Sequence, residues 1–285
     1  MVCAGTPSTA DFLAGALLEV NVRTVVGRLG SPLELRSAAF RKLCSGADLV
    51  SMEVPRAWQA CLPAGAQLRM PAWVSQELLA AGTSPVTLPA PMRKEVRRHS
   101  RRNAYELRVS TDLSDIRHFY ANLYRPYVTA RFGTGAVVVD EKQFLAVSRG
   151  MTLAKLTVAG DWVAGMLLQQ RGETLHLGWF GSTTVPPRAG ASEVLDARSI
   201  EWGAAKGASR VVMGHSRPSL ADGVVRYKSR FGANVRPTRF PQRTIGLWVQ
   251  RWSAELVARL NAAEFVSFRD GRACVYEAHP DHATP

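Results

Sequence analysis

Long apolar runs are missing from this chain of 285 residues. No stretch of roughly 18 or more apolar residues occurs, so no membrane span is expected. Cysteine is scarce: Cys3, Cys44, Cys61 and Cys274 are the four present, widely separated and without metal-like pairing. That argues against a disulfide framework or a zinc site, and fits a reducing compartment. The N-terminus lacks a basic region followed by an apolar core and a small-residue cleavage site, so no secretory signal is read there. A cytoplasmic location is the expectation. Internal repeats and low-complexity tracts are absent too. Acidic residues are few, 23 against 36 basic ones, for a net charge of +13.

The excess is concentrated in two places. Between Arg93 and Arg102 six basic residues (Arg93, Lys94, Arg97, Arg98, Arg101, Arg102) face one acid, Glu95. Between Arg210 and Arg243 eight basic residues face Asp222 alone. The rest of the chain is nearly neutral. Clustering of this kind points to a polyanionic partner: nucleic acid, the phosphates of a coenzyme, or anionic lipid head groups. A solvated basic face is the alternative.

Periodicity orders the rest. Leu17 to Val26 is rich in β-branched residues and reads as a strand. Pro32 to Cys44 has helical spacing (Leu33, Arg36, Phe40, Leu43), with Ser31 as its cap. Prolines at 55, 63, 71, 85, 89 and 91 forbid a long helix across that region. Residues 81–91 read as a linker, dividing an N-terminal part (1–90) from a main domain (91–285). Met92 to Asn103 is a basic helix whose cations repeat every four residues in two adjacent stripes. Tyr105 to Ser110 is a strand. Asp112 to Phe132 is an amphipathic helix that Pro126 should kink. Gly133-Thr134-Gly135 is a turn, Val137 to Val139 a short extended piece, and Glu141 to Arg149 a helix. Three strands with glycine-containing connections follow, Leu153–Ala159, Trp162–Gln170 and Thr174–Phe180, forming an antiparallel meander. A loop of two prolines leads into a helix from Ser192 to Lys206. Then come a strand, Arg210–Met213, and the segment Gly214–Ala233, GHSRPSLADGVVRYKSRFGA, with a short helix. Val235 to Val249 is extended, Ala254 to Leu260 helical. Phe265–Phe268 and Ala273–Tyr276 make a hairpin around Asp270-Gly271.

A strand ending in Gly-His-Ser-Arg-Pro leaves polar groups where ligands bind in α/β sheets. His215 there could serve as a general base, and Arg217 could hold a phosphate or carboxylate. The helix after it presents Tyr227 and Lys228, and a lysine can hold an anion or a developing oxyanion. His215 and Lys228 each have a plainer reading: a turn-bonded histidine and a solvated lysine. His176 reads as a satisfied sheet histidine; Trp162, Trp179 and Trp202 read as core.

The order of elements, together with RKEVRRHSRR, FYANLYRPYVTARFG, LAKLTVAGDWVAGMLLQQRGETLHLGWFG and GHSRPSLADGVVRYKSRFGA, resembles the GNAT-like acyltransferases related to the Fem family. The resemblance covers roughly residues 92–245. It implies an α/β (α+β) fold with a mixed, largely antiparallel central sheet flanked by helices. The N-terminal part would be a truncated or divergent GNAT-like half. The implied activity is transfer of an acyl or aminoacyl group from acyl-CoA or aminoacyl-tRNA to an amine acceptor. The implied site residues are Tyr227 and Lys228, preceded by Asp222 and Gly223, at the activated donor. Tyr124, Arg125 and Tyr127 fall on the acceptor side. Arg188 and Gly190 fall in the loop that matches the coenzyme A pyrophosphate loop of ordinary GNAT enzymes. That loop, VPPRAGASE, departs from their glycine-rich pattern, and Pro186 and Pro187 remove amide donors from it. No tightly bound cofactor and no metal are expected; acyl-CoA would be a co-substrate. An acidic carrier protein is a further candidate donor. The rival class is a non-catalytic GNAT-like module that binds nucleic acid or an anionic surface through the basic helix.

Overall fold

Alternation and turn chemistry place the strands, and packing then gathers them into sheets. The computed structural model describes residues 1–18, 25–27, 31, 34, 37–62, 65–82, 85–132, 138–238 and 243–279. In chain order the elements are β1 (Val2–Ala4), α1 (Pro7–Leu17), β2 (Val25–Gly27), α2 (Ala38–Ser45), β3 (Leu49–Pro55), β4 (Leu68–Pro71), β5 (Val74–Leu79) and α3 (Ala90–Asn103). Next are β6 (Tyr105–Ser110), α4 (Leu113–Phe119), a π-helical turn (Tyr120–Tyr124), α5 (Arg125–Phe132), α6 (Glu141–Val147), β7 (Thr152–Val158), β8 (Asp161–Arg171) and β9 (Thr174–Ser182). The chain continues through α7 (Ala191–Ala205), β10 (Arg210–Ser216), α8 (Gly223–Ser229), β11 (Asn234–Pro237), β12 (Arg243–Val249), α9 (Ala254–Ala263), β13 (Val266–Arg269) and β14 (Arg272–Val275).

The elements gather into two compact units that interleave in the sequence. The first comprises Met1–Ser75, His215–Tyr227 and Val235–Pro285; the second comprises Gln76–Gly214 and Lys228–Asn234. Neither unit follows the sequence division at residue 90.

In the first unit β2, β1 and β3 run parallel, joined by α1 and α2. β12 then lies antiparallel between β3 and β4 in a five-stranded sheet. Leu13, Leu17, Leu49, Ile245, Leu247, Leu260 and Phe265 form one apolar cluster. Val50, Met52, Val54 and Trp248 belong to another. β3 and β12 therefore each contribute to both clusters, so the centre of the sheet is covered on both faces, with Ser51 and Glu53 as buried polar residues beside Leu49 on β3.

The second unit holds most of a seven-stranded mixed sheet in the order β11-β5-β10-β9-β8-β7-β6. β6 to β9 form an antiparallel meander, and β10 pairs with β9 in parallel after the crossover through α7. The fold is α/β with this sheet flanked by helices. The order β6, helices, β7-β8-β9, α7, β10, α8 is the order expected from the sequence.

Several boundaries differ from expectation. The helix expected from Asp112 is divided twice. Pro126 has no N–H for the ladder, and just before it the Arg125 amide reaches back five residues to the Tyr120 carbonyl, making a π turn. α2 runs from Ala38 to Ser45, capped by Ser37, whose side chain accepts the Phe40 amide, in place of the expected helix from Pro32 to Cys44 capped by Ser31. Leu33, Arg36, residues 19–24 of the expected first strand, Gly133-Thr134-Gly135 and Val137 lie outside the described residues. Leu17 ends α1 instead of opening a strand. α7 starts one residue before Ser192, behind Gly190 at φ 77°. The final hairpin turns at Asp270 (φ 48°) and Gly271 (φ 74°), the left-handed pair a two-residue turn requires.

Candidate functional site

β9 and β10 pair over three residues, Thr174↔Arg210, Leu175↔Val211 and His176↔Val212. Beyond His176 the register of β9 continues with β8, as far as Ser182↔Ala164. A β-bulge sits in this stretch. Between Met166↔Phe180 and Leu168↔Leu177, Leu167 faces both Gly178 and Trp179. The extra residue re-aims the strand. Ahead of it Leu175 packs against Gly203 of α7; after it Trp179 packs against Phe144, ring centroids 4.8 Å apart. A side chain at Gly178 would strike the Leu167 carbonyl oxygen at 2.7 Å, so the bulge needs glycine there.

Lys228 lies at the place where the two strands part. It is 8% exposed. A Cβ added at Gly214, on β10, would lie 3.8 Å from the Leu177 carbonyl oxygen of β9 and 4.0 Å from Lys228 Nζ. Gly214 itself has φ 77°, a left-handed conformation that only glycine adopts cheaply. Lys228 is thus a largely buried residue whose ammonium lies near Gly214, and a cation in a low-dielectric setting acts strongly on developing negative charge.

α8, which carries Lys228, is fixed at both ends. Asp222 Oδ1 accepts the amides of Val224 (2.9 Å) and Val225 (3.0 Å), which makes Asp222 a helix cap. Gly223 is exposed, with open space where a Cβ would be. Arg230, just past the helix, donates to Glu95 of α3 at 2.5 Å and lies 3.7 Å from Glu193 of α7. The Arg230 hydrogen bond is the main cause of a Glu95 pKa below the usual carboxylate range. Tyr227 is half-buried and adjacent to Lys228. Successive helical residues point about 100° apart, so the two side chains do not project together.

The loop before α7 is tied down by α3 and β6. Tyr105 donates its hydroxyl to the Ala189 carbonyl (2.9 Å), and Asn103 donates to the same oxygen (3.4 Å). His99 packs under Gly190, where an added Cβ would lie 2.2 Å from the imidazole Cγ. The His99 Nδ1 atom is buried and has no partner among the described residues. Arg188 is exposed, and its carbonyl takes the Ala191 amide. Pro186 and Pro187 offer no amide, and Glu193 already places a carboxylate in the first turn of α7. These features leave little at this helix end for a pyrophosphate.

The remaining sequence candidates are spread out. His215 is exposed, with Nε2 3.0 Å from the Thr238 hydroxyl. Arg217 is enclosed within the first unit. Its guanidinium donates to the Ser8 carbonyl and hydroxyl, to Thr9 Oγ1 (3.3 Å) and to the Ala72 carbonyl (3.4 Å), and it lies 4.0 Å from the Trp73 ring centre. Those contacts account for an arginine in this position without a ligand. Tyr124 and Tyr127 are each 4% exposed. Tyr124 stacks on Phe144 at 5.3 Å, and burial raises its pKa. Tyr127 meets Phe180 edge-on at 5.2 Å and accepts a hydrogen bond from Arg131. Arg125, between them, is exposed. His176 is a sheet histidine whose pKa burial lowers, followed by the charges of Arg171 and Arg210. Gly214, Glu95, Arg230 and His99 were missed by sequence reasoning. The glycine was visible only as punctuation, and the others meet only through folding.

No helix among the described residues is long and apolar enough to cross a membrane. No family model matches this chain, and no curated protein does. Among solved structures the chain is similar to L-PGS from Bacillus licheniformis, at 14% identity and a TM-score of 0.46, covering 79% of this chain and 76% of that one. It is similar to FemX, at 9% identity and a TM-score of 0.44, covering 76% and 77%. It is also similar to a GCN5-related N-acetyltransferase from Sphaerobacter thermophilus, at 15% identity and a TM-score of 0.42, covering 70% and 59%.

Proposed function

We propose that the protein is an acyltransferase that moves an acyl or aminoacyl group from an activated thioester or ester to an amine. The observation that carries this reading is the buried Lys228 ammonium beside Gly214, where β9 and β10 part. In the reaction, the amine nitrogen attacks the carbonyl carbon. The carbonyl oxygen becomes an oxyanion, which Lys228 stabilises at the opening between the strands. Collapse of the intermediate forms the amide and expels the thiolate or alkoxide, which takes up the proton the amine gives to water. The strand opening positions the acyl group, and orientation supplies much of the rate.

The loop before α7 bears on the donor. Two prolines, a used Ala191 amide and the Glu193 carboxylate favour a donor gripped elsewhere than by its pyrophosphate. An RNA-linked ester suits this better than acyl-CoA in the usual pose. A non-catalytic, anion-binding module is the second reading, favoured by the exposed cations of α3.

The test is donor consumption by purified protein in the presence of primary amines, with acyl-CoA and aminoacylated RNA as separate donors. Lys228→Met should lower turnover by about 10²–10³-fold. Turnover by Lys228→Met equal to that of the unmodified chain would sink the enzymatic reading. Binding without turnover in both would put the module first.

A further inference from the structure

The outer side of α3 has a physical peculiarity that the reaction at Lys228 does not use. Arg93, Lys94, Arg97, Arg98, Arg101 and Arg102 are all exposed. Met92 and Val96 are its buried residues. Each stripe advances about 6 Å per step of four residues. Two adjacent stripes therefore present one cation per about 3 Å of axis, close to the roughly 3.4 Å per phosphate along one strand of a nucleic acid.

Acids near these charges are few: Arg98 acts on Glu95 only through space. Among the described residues none of the six forms an ion pair. Glu95, the acid within the stretch, is engaged by Arg230 instead. Like charges at i, i+4 destabilise a helix, so an external polyanion relieves a cost built into α3. Lys94, Arg97, Arg98, Arg101 and Arg102 also line one open concavity of about 990 Å³.

We propose that this face of α3 is a docking surface for the phosphate backbone of an RNA. Five of the six cations are arginines, which grip phosphate oxygens in pairs. A lipid surface fits less well. An interfacial helix inserts apolar side chains, and the exposed large apolar residues, from Leu79 to Val275, include none on α3. The choice of RNA rests on the acyltransferase reading, because an acyl ester on a nucleic acid is carried by a ribose hydroxyl. α3 is joined within the second unit to the α8 end through Glu95 and Arg230, two residues from Lys228. A strand held on α3 is thus held by the element that braces the catalytic lysine.

The experiment is fluorescence anisotropy of the full chain with a fluorescein-labelled RNA hairpin, repeated with the Arg97→Glu/Arg101→Glu variant and with Lys228→Met. Liposome sedimentation with anionic vesicles runs beside it. RNA affinity should fall by about 10³-fold between about 50 and 200 mM salt if all six cations contact phosphate. The double variant should bind RNA more weakly with a shallower salt slope, at a melting temperature no lower than that of the unmodified chain, and Lys228→Met should bind as the unmodified chain does. Equal RNA affinity in the double variant, or vesicle binding in place of RNA binding, would overturn the proposal. The two readings fail separately. Amine acylation from acyl-CoA that the double variant leaves intact, with no RNA binding, keeps the transferase and removes the docking surface. RNA binding lost in the double variant, with no transfer from any donor, keeps the surface and removes the transferase.

Discussion

Gly165 and Gly181 are cross-strand partners on β8 and β9, and each makes room for the helical segment above it. A Cβ at Gly165 would lie 2.9 Å from the Phe119 ring; one at Gly181 would lie 2.6 Å from the Tyr124 amide nitrogen. The π turn that carries Tyr124 therefore rests on a saddle without side chains. Gly181→Ala should destabilise the fold by about 1–3 kcal/mol, because the obstacle is backbone and cannot swing aside. Gly165→Ala should cost less, since a ring edge can shift. Urea unfolding of both variants checks this; equal midpoints for Gly181→Ala and the unmodified chain would show that the contact is looser.

Gly190 and His99 should be coupled. Gly190→Ala brings a Cβ to 2.2 Å from the ring and places it at φ 77°. In a double-mutant cycle, His99→Ala should recover part of the loss and leave about 1–2 kcal/mol from the left-handed backbone. Strict additivity would show that the ring does not pack there.

Arg217→Lys should act on stability. Lysine keeps the charge but loses the forked bonding to Ser8, Thr9 and Ala72 and the stacking on Trp73. The expected cost is about 2 kcal/mol, read as a lower unfolding midpoint. Normal stability with weakened donor binding would instead return Arg217 to a binding role.

Glu53 gives the first unit a pH dependence. Burial raises its pKa, but hydrogen bonds from Thr6 and Thr9 and the charge of Arg243 together outweigh burial, so the folded pKa is lowered. Arg243 Nε lies 2.6 Å from its carboxylate. A carboxyl group with a depressed folded pKa contributes stability that is complete above its unfolded value, about 4.3, and is lost as pH falls through the folded value. Glu53→Gln should flatten the acid limb of the stability–pH curve and lower the plateau at neutral pH. An acid limb identical in the two proteins would assign the effect to other groups.

The sequence by itself determined the meander β7-β8-β9, the basic helix α3 and the final hairpin. Alternation, i+4 spacing and the Asp270-Gly271 turn act over a few residues, so they are legible one window at a time. It also singled out Lys228, though not what lies beside it. Tertiary structure decided the rest. β12 enters between β3 and β4 although Arg243 is 190 residues from Glu53, so the first unit has no contiguous signature. Arg217 reads as a ligand group because a guanidinium suits anions, and Asp222 entered only through the family resemblance; folding engages them with Ser8, Thr9, Ala72 and the α8 amides. Tyr124 and Tyr127 are buried against Phe144 and Phe180, contacts that no local pattern announces. A side chain's type limits what it can bond, but only the fold sets which groups come within reach.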